Sequence, residues 1–209
     1  MRLEFASLLL SKEGAVLLDA ILEFNAGFAV SKPDPPFGGL MARLKADPRA
    51  MALLNPERAE GFFDFEEPIT RLALVGGKAL EELARKLSCV IFAGRISSCV
   101  RREEVLALRQ ELSNEELGFA RGSARFMLGQ KARQALCEGF AFPGSILDAG
   151  AWALAAVESA LPDPVRQRLN PPALSRPVPA GEALDALKAL CTRLMRQSGD
   201  ERCRMIFSL

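Results

Sequence analysis

The sequence predicts an all-α protein: a single globular, multi-helix domain with proline-rich loops. Three observations predict it. Apolar residues recur at helical spacing in segment after segment. No run of alternating apolar and polar residues is long enough for a strand. Pro, Gly and Ser fall where such helices should start and stop.

In chain order, Glu13–Phe24 has the spacing of a helix, whereas Lys32–Phe37 and Asn55–Pro68 are rich in Pro, Gly and Phe and read as loops. Pro68 suits the first turn of a segment Ile69–Leu74, because its missing N–H would have no helical partner there anyway. Gly76-Gly77 then reads as a break. Lys78–Ala93 is the clearest helix. Leu80, Leu83, Ala84, Leu87 and Ile91 form one apolar stripe, opposite Glu81, Glu82, Arg85 and Lys86.

Arg102–Leu112 is a further helix, and Ser113-Asn114-Glu115-Glu116 is a capping box that should open another, running from about Glu115 toward Met127. Gly129 ends the next turn, and Gln130–Phe140 resumes the pattern up to Pro143-Gly144. Ser145 is placed to cap Ile146–Leu161, a helix so poor in charge that a central, buried position follows, with Pro162 as its stop. Four prolines between Asn170 and Ala180 predict an extended connection. In the last helix, Gly181–Gln197, one face carries Leu184, Leu187, Leu190, Cys191, Leu194 and Met195. The expected organisation is thus one domain over 1–209. It has a less regular part at 1–67, a helical core at 68–169, a Pro-rich connection at 170–180 and a C-terminal helix at 181–209.

Composition narrows the chemistry. At 209 residues the chain can bury a substantial core, and 49% hydrophobic with 25% charged residues is globular and not disordered. It contains no histidine and no tyrosine. That removes Ser-His-Asp and Cys-His catalysis, histidine bases and imidazole metal sites, leaving carboxylate, lysine or cysteine chemistry, or none. Residues 1–67 hold 7 basic and 11 acidic side chains against 20 and 15 in residues 68–209, well short of the dense positive field of a nucleic-acid binder. Met1–Leu10 lacks the basic start and long apolar stretch of a signal peptide. The charge-free stretches Leu87–Gly94 and Ala149–Val157 fall far short of the ~20 residues that span a bilayer. Cys89, Cys99, Cys137, Cys191 and Cys203 include no CxxC pair and are expected to be reduced, with Cys89 and Cys191 acting as small hydrophobes on apolar faces.

No catalytic, cofactor or metal residues are expected. Val75-Gly76-Gly77-Lys78-Ala79 partly resembles a phosphate loop, but the first glycine of that motif is missing, and alanine stands where a hydroxyl would bind magnesium. Glu66-Glu67, Glu103-Glu104 and Glu115-Glu116 are neighbours that diverge on a helix and suit helix N-termini. The candidate partner-binding patch is Arg121, Arg125, Lys131 and Arg133, with Arg121 and Arg125 four apart on one helical face and no acid between Gly118 and Cys137. Four such cations suit an acidic protein surface, but an ordinary solvated face is the plainer reading.

The order Arg71-Leu-Ala-Leu-Val-Gly-Gly, the amphipathic helix to Phe92, Arg95-Ile-Ser-Ser-Cys-Val, Val105-Leu-Ala-Leu-Arg, Glu116-Leu-Gly-Phe-Ala and Phe126-Met-Leu-Gly resembles the SctK family of type III secretion systems, with a weaker echo in Met205-Ile-Phe-Ser. The resemblance spans Arg71–Gly129, roughly a third of the chain. It implies a helical, non-enzymatic cytoplasmic adaptor of the sorting platform. Such an adaptor is peripheral to the inner membrane through its partners: the cytoplasmic domain of the inner-membrane ring protein and the pod protein that carries the export ATPase. It brings no catalytic motif. Two alternatives remain: a helical DNA-binding regulator using Gly118–Cys137 as a helix-turn-helix, and an enzyme using lysine or cysteine.

Overall fold

A computed structural model of the chain describes residues 14–28, 64–174 and 176–208, and among these the regular elements are all helical. The expected loop Lys32–Phe37, most of Asn55–Pro68 and the segment Met1–Leu10 lie outside the described residues. The chain divides into two compact units, Met1–Val75 with Gly199–Leu209, and Gly76–Ser198. The helical text at 181–209 therefore contributes to both.

In the first unit, α1 (Ala15–Phe28) buries Leu17, Ala20, Ile21 and Phe24, the i, i+3, i+4, i+7 spacing of a single helical stripe. The Phe24 ring meets Phe65 edge-on, centroids 5.4 Å apart. The 3-10 turn Pro68–Leu74 starts at its proline as expected and buries Ile69, Thr70, Arg71 and Leu72. Arg71 is 2% exposed. Its Nε donates to the Phe65 carbonyl at 2.9 Å and its Nη1 to the Ile206 carbonyl at 2.9 Å. Ile206 belongs to the last turn of the C-terminal helix Glu201–Ser208, where carbonyls have no helical partner and the macrodipole is negative. The buried guanidinium thus ties the turn to that helix end. The helix has its own N-terminal cap, since the Asp200 carboxylate accepts from the Cys203 N–H at 3.2 Å. The single C-terminal helix expected over 181–209 is therefore two, Glu182–Arg196 and Glu201–Ser208, broken at Ser198-Gly199 and restarted by the Asp200 cap.

The second unit is built on α2 (Gly77–Ser98). Its first half is amphipathic as expected, but every residue from Leu87 to Ala93 is buried, so the helix is covered all round over that stretch. The single-stripe expectation fails there because α2 lies beneath several neighbours. After it come α3 (Arg102–Glu111) and α4 (Asn114–Arg121). The capping box is present: Ser113 Oγ accepts from the Glu116 N–H at 3.2 Å, and the Glu116 carboxylate accepts from the Ser113 N–H at 2.7 Å. α4 stops at Arg121, short of Met127. At Gly122 the backbone turns to φ −93°, ψ −111°, and Ser123–Phe126 forms a 3-10 turn instead. Then α5 (Gln130–Cys137) ends before the expected Phe140.

α6 (Ile146–Ser159) is the buried helix its composition predicts. Ser145 occupies its N-cap position, yet the hydroxyl caps nothing; the Ile146 N–H instead donates to the Glu111 carboxylate from α3. Pro162 does end the segment and also stands before α7 (Asp163–Leu169), a helix missed in the sequence although Pro164 in its first turn is a start signal. The connection 170–180 is extended as expected, and α8 (Glu182–Arg196) buries Leu187, Leu190, Cys191, Leu194 and Met195. The C-terminal helix of the first unit is α9 (Glu201–Ser208).

The crossing of α2 and α6 depends on one glycine. A Cβ at Gly150 would lie 2.1 Å from the Ala84 carbonyl oxygen and 2.1 Å from Ser88 Oγ, distances that no side chain tolerates. Ala149 and Ala153 of the same helix are fully buried.

Two substitutions test these supports. Gly150→Ala improves helix propensity by about 1 kcal/mol, but the clash with α2 backbone should exceed that and leave the protein destabilised by about 2 kcal/mol in urea unfolding. Arg71→Met keeps the side-chain volume but strips carbonyls of their donor; a loss of about 2–4 kcal/mol is expected, and Arg71→Lys should recover only part of it because an ammonium cannot fork.

Candidate interaction surfaces

The four cations singled out in the sequence do not form one patch of equals. Arg133 is half-buried and structural. Its Nη2 donates to the carbonyls of Arg125 at 2.7 Å and Leu128 at 2.9 Å, and its Nε to the Val90 carbonyl of α2 at 3.3 Å. Lys131 is fully exposed and pairs with Glu182 at 3.3 Å. Arg121 and Arg125, expected four apart on one helical face, lie on different elements, the last turn of α4 and the 3-10 turn after it. Both are exposed, and among the described residues no carboxylate pairs with either. The break at Gly122 is what separates them. The helix-turn-helix alternative needs a strongly basic second helix. α5 supplies only Lys131 and Arg133, the first paired and the second committed to backbone carbonyls.

Two apolar side chains that sequence periodicity did not single out stand in water: Phe126 is 81% exposed and Val100 is 87% exposed. The Arg125 guanidinium lies 5.9 Å from the Phe126 ring centroid. Burial and Glu104 push the Cys99 thiol up, and the Arg121 charge opposes that rise. A helical wheel drawn through Met127 hides this arrangement. Gly122, read as a helix stop, would have exposed it.

A second feature flanks the proline-rich connection. Arg176 donates to the carbonyls of Glu138 and Gly139 and lies over the Phe140 ring at 4.0 Å, pinning the connection in place. Cavities of about 530 Å³ and 370 Å³ open on either side, sharing Phe140, Trp152 and Arg176 as walls. The Trp152 indole N–H is buried and has no hydrogen-bond partner among the described residues.

The remaining sequence candidates resolve into structure. Gly76 and Gly77 separate the 3-10 turn from α2, so the phosphate-loop fragment follows a turn and not a strand. Glu103 and Glu104 occupy the first turn of α3, and Glu115 and Glu116 that of α4, as expected for helix N-termini. Glu116 goes further: it grips Arg85 of α2 with two bonds, at 2.5 Å and 2.9 Å, and the Arg85 hydrogen bonds hold its carboxyl at about 2. Among the described residues no group of His, Cys, Asp and Glu could hold a metal ion. Burial pushes the thiols of Cys89 and Cys191 up to about 12, which keeps both protonated and unreactive near neutral pH.

Glu158, in the last turn of α6, is a carboxylate on the buried side, and desolvation raises it to about 7. No sequence pattern marked it, since a single acid near a helix end reads as solvated.

No protein-family model, curated protein or solved structure matches the chain.

Because the folded protein holds the Glu158 proton more tightly than the unfolded chain does, stability should fall as pH rises from about 4.5 to about 7 and then level off. Glu158→Gln should flatten that window and be the more stable protein at pH 8, by about 1–2 kcal/mol after allowance for solvent screening, as measured by urea unfolding at a series of pH values.

Proposed function

We propose that this chain is a non-enzymatic adaptor of a type III secretion system, working through its surfaces in the manner of the SctK family. In this role it sits on the cytoplasmic face, held near the inner membrane by the ring protein's cytoplasmic domain and joined on another face to the pod protein. One observation carries the reading on the structural side. Phe126 opens the Phe126-Met-Leu-Gly element of the resemblance, and its ring is left in water at 81% exposure. Full burial of such a side chain is worth about 1.5–3 kcal/mol. A protein that buries its other apolar side chains in the same turn and leaves this one out offers it to something else. Ala124 and Leu128, on either side, are both buried.

The division into two compact units supports the same role, since an adaptor needs two surfaces that can be engaged by different partners. The charge difference between residues 1–67 and the rest offers those partners different fields. No helix among the described residues is long and apolar enough to cross a membrane, so membrane proximity in this reading comes from the partner.

The test is co-purification of the full chain with the ring protein's cytoplasmic domain and the pod protein of a type III system encoded in the same genome. The expected result is capture of both, and of all three together when mixed. Capture of neither overturns the adaptor reading.

A further inference from the structure

We infer that the surface formed by Arg121, Arg125 and Phe126 docks an acidic protein segment carrying an apolar side chain, which covers Phe126 while its carboxylates meet the two arginines. The inference rests on the adaptor reading and names the chemistry of one partner contact. Arg125 and Phe126 are adjacent in the 3-10 turn with guanidinium and ring 5.9 Å apart, and Arg121 ends the helix that leads into that turn. Both arginines are exposed, and the Phe126 ring is more than four-fifths exposed.

Charge selects the occupant. Four cations were expected here, but Lys131 is paired with Glu182 and Arg133 with backbone carbonyls, which leaves Arg121 and Arg125 with their charge uncommitted to any carboxylate among the described residues. A guanidinium takes a carboxylate on two parallel bonds, which an ammonium cannot do, and an arginine already lying against a ring keeps its planar face packed while its edge binds. Glu103 and Glu104 stand in the first turn of α3, Glu104 bonded to Cys99. A nucleic-acid backbone would bring phosphates against those carboxylates along its whole track, whereas a protein segment can place its acids on the arginines alone. Phe126 offers the apolar anchor that protein interfaces place at their centre, with arginines around it.

The rigid supports make the surface testable without unfolding the chain. The 3-10 turn is held from beneath by Arg133 and by buried Ala124, neither of which the docking surface uses. Full-length Phe126→Ser and the double variant R121E/R125E, both altering exposed side chains, should keep wild-type circular dichroism and thermal unfolding. In titration calorimetry against the ring protein's cytoplasmic domain and against the pod protein, each variant should weaken binding of one partner at least tenfold and leave the other unchanged. Wild-type affinity for the affected partner should fall between 50 and 300 mM NaCl, and R121E/R125E should lose most of that salt dependence.

Variants that bind both partners as tightly as wild type would overturn the docking surface while the adaptor reading stands. Wild-type protein that binds neither partner overturns both. Two other results would replace the occupant: retention of a 30-base-pair DNA duplex at physiological salt that R121E/R125E abolishes, or a wild-type dimer in light scattering that Phe126→Ser turns into a monomer.

Discussion

The second unit rests on a steric constraint at a single position: α6 approaches α2 so closely that Gly150 has no room for a methyl group against the Ala84 carbonyl and Ser88. Interiors are close-packed, so a helix pair at this separation dictates what can fit around it. α2 becomes the axis of the unit, and its Leu87–Ala93 segment is buried on every side. Other elements then attach to α2 through specific bonds. Glu116 brings the α4 N-terminus to Arg85, and Arg133 brings α5 and the preceding turn to the Val90 carbonyl. One carboxylate serves both as a helix cap and as an ion-pair partner, so local helix initiation and tertiary docking of α4 depend on the same group.

Arginine makes most of these attachments. With 20 arginines, 7 lysines and neither histidine nor tyrosine, the chain has few other long side chains able to reach several carbonyls at once. Arg71, Arg133 and Arg176 each donate to two or more main-chain carbonyls at the ends of helices or turns, where backbone acceptors lack partners. Arg85 adds the Glu111 carbonyl to its ion pair. Arg121 and Arg125 differ from these structural arginines: both are exposed, no carboxylate among the described residues pairs with either, and Arg125 lies against the exposed Phe126 ring.

Much of the fold was legible in the sequence because helices are specified locally. The 3.6-residue stripe placed α2 and α8, the capping box placed α4, and Pro68, Gly76 and Pro162 marked boundaries. Where the reading failed, a non-local partner or an ambiguous breaker was responsible. Ser145 has the right residue type for a cap, but Glu111 from α3 takes the Ile146 N–H. Pro162 stops one helix and precedes another, and the stop alone was recognised. The cationic cluster was legible as composition only. Whether each cation was free, paired or clamped depended on the break at Gly122 and on groups as distant as Val90 and Glu182.

By itself, the sequence determined that the chain is helical, that imidazole chemistry is closed to it and that its cysteines form no CxxC site, because periodicity and composition are properties of neighbouring residues or of none. Tertiary structure alone decided that α2 is central, that Arg71 is buried, that Glu158 is desolvated and that Phe126 faces outward. Burial and pairing are set by elements far apart in the chain, and a side chain of given type reads the same in sequence whichever of these it meets.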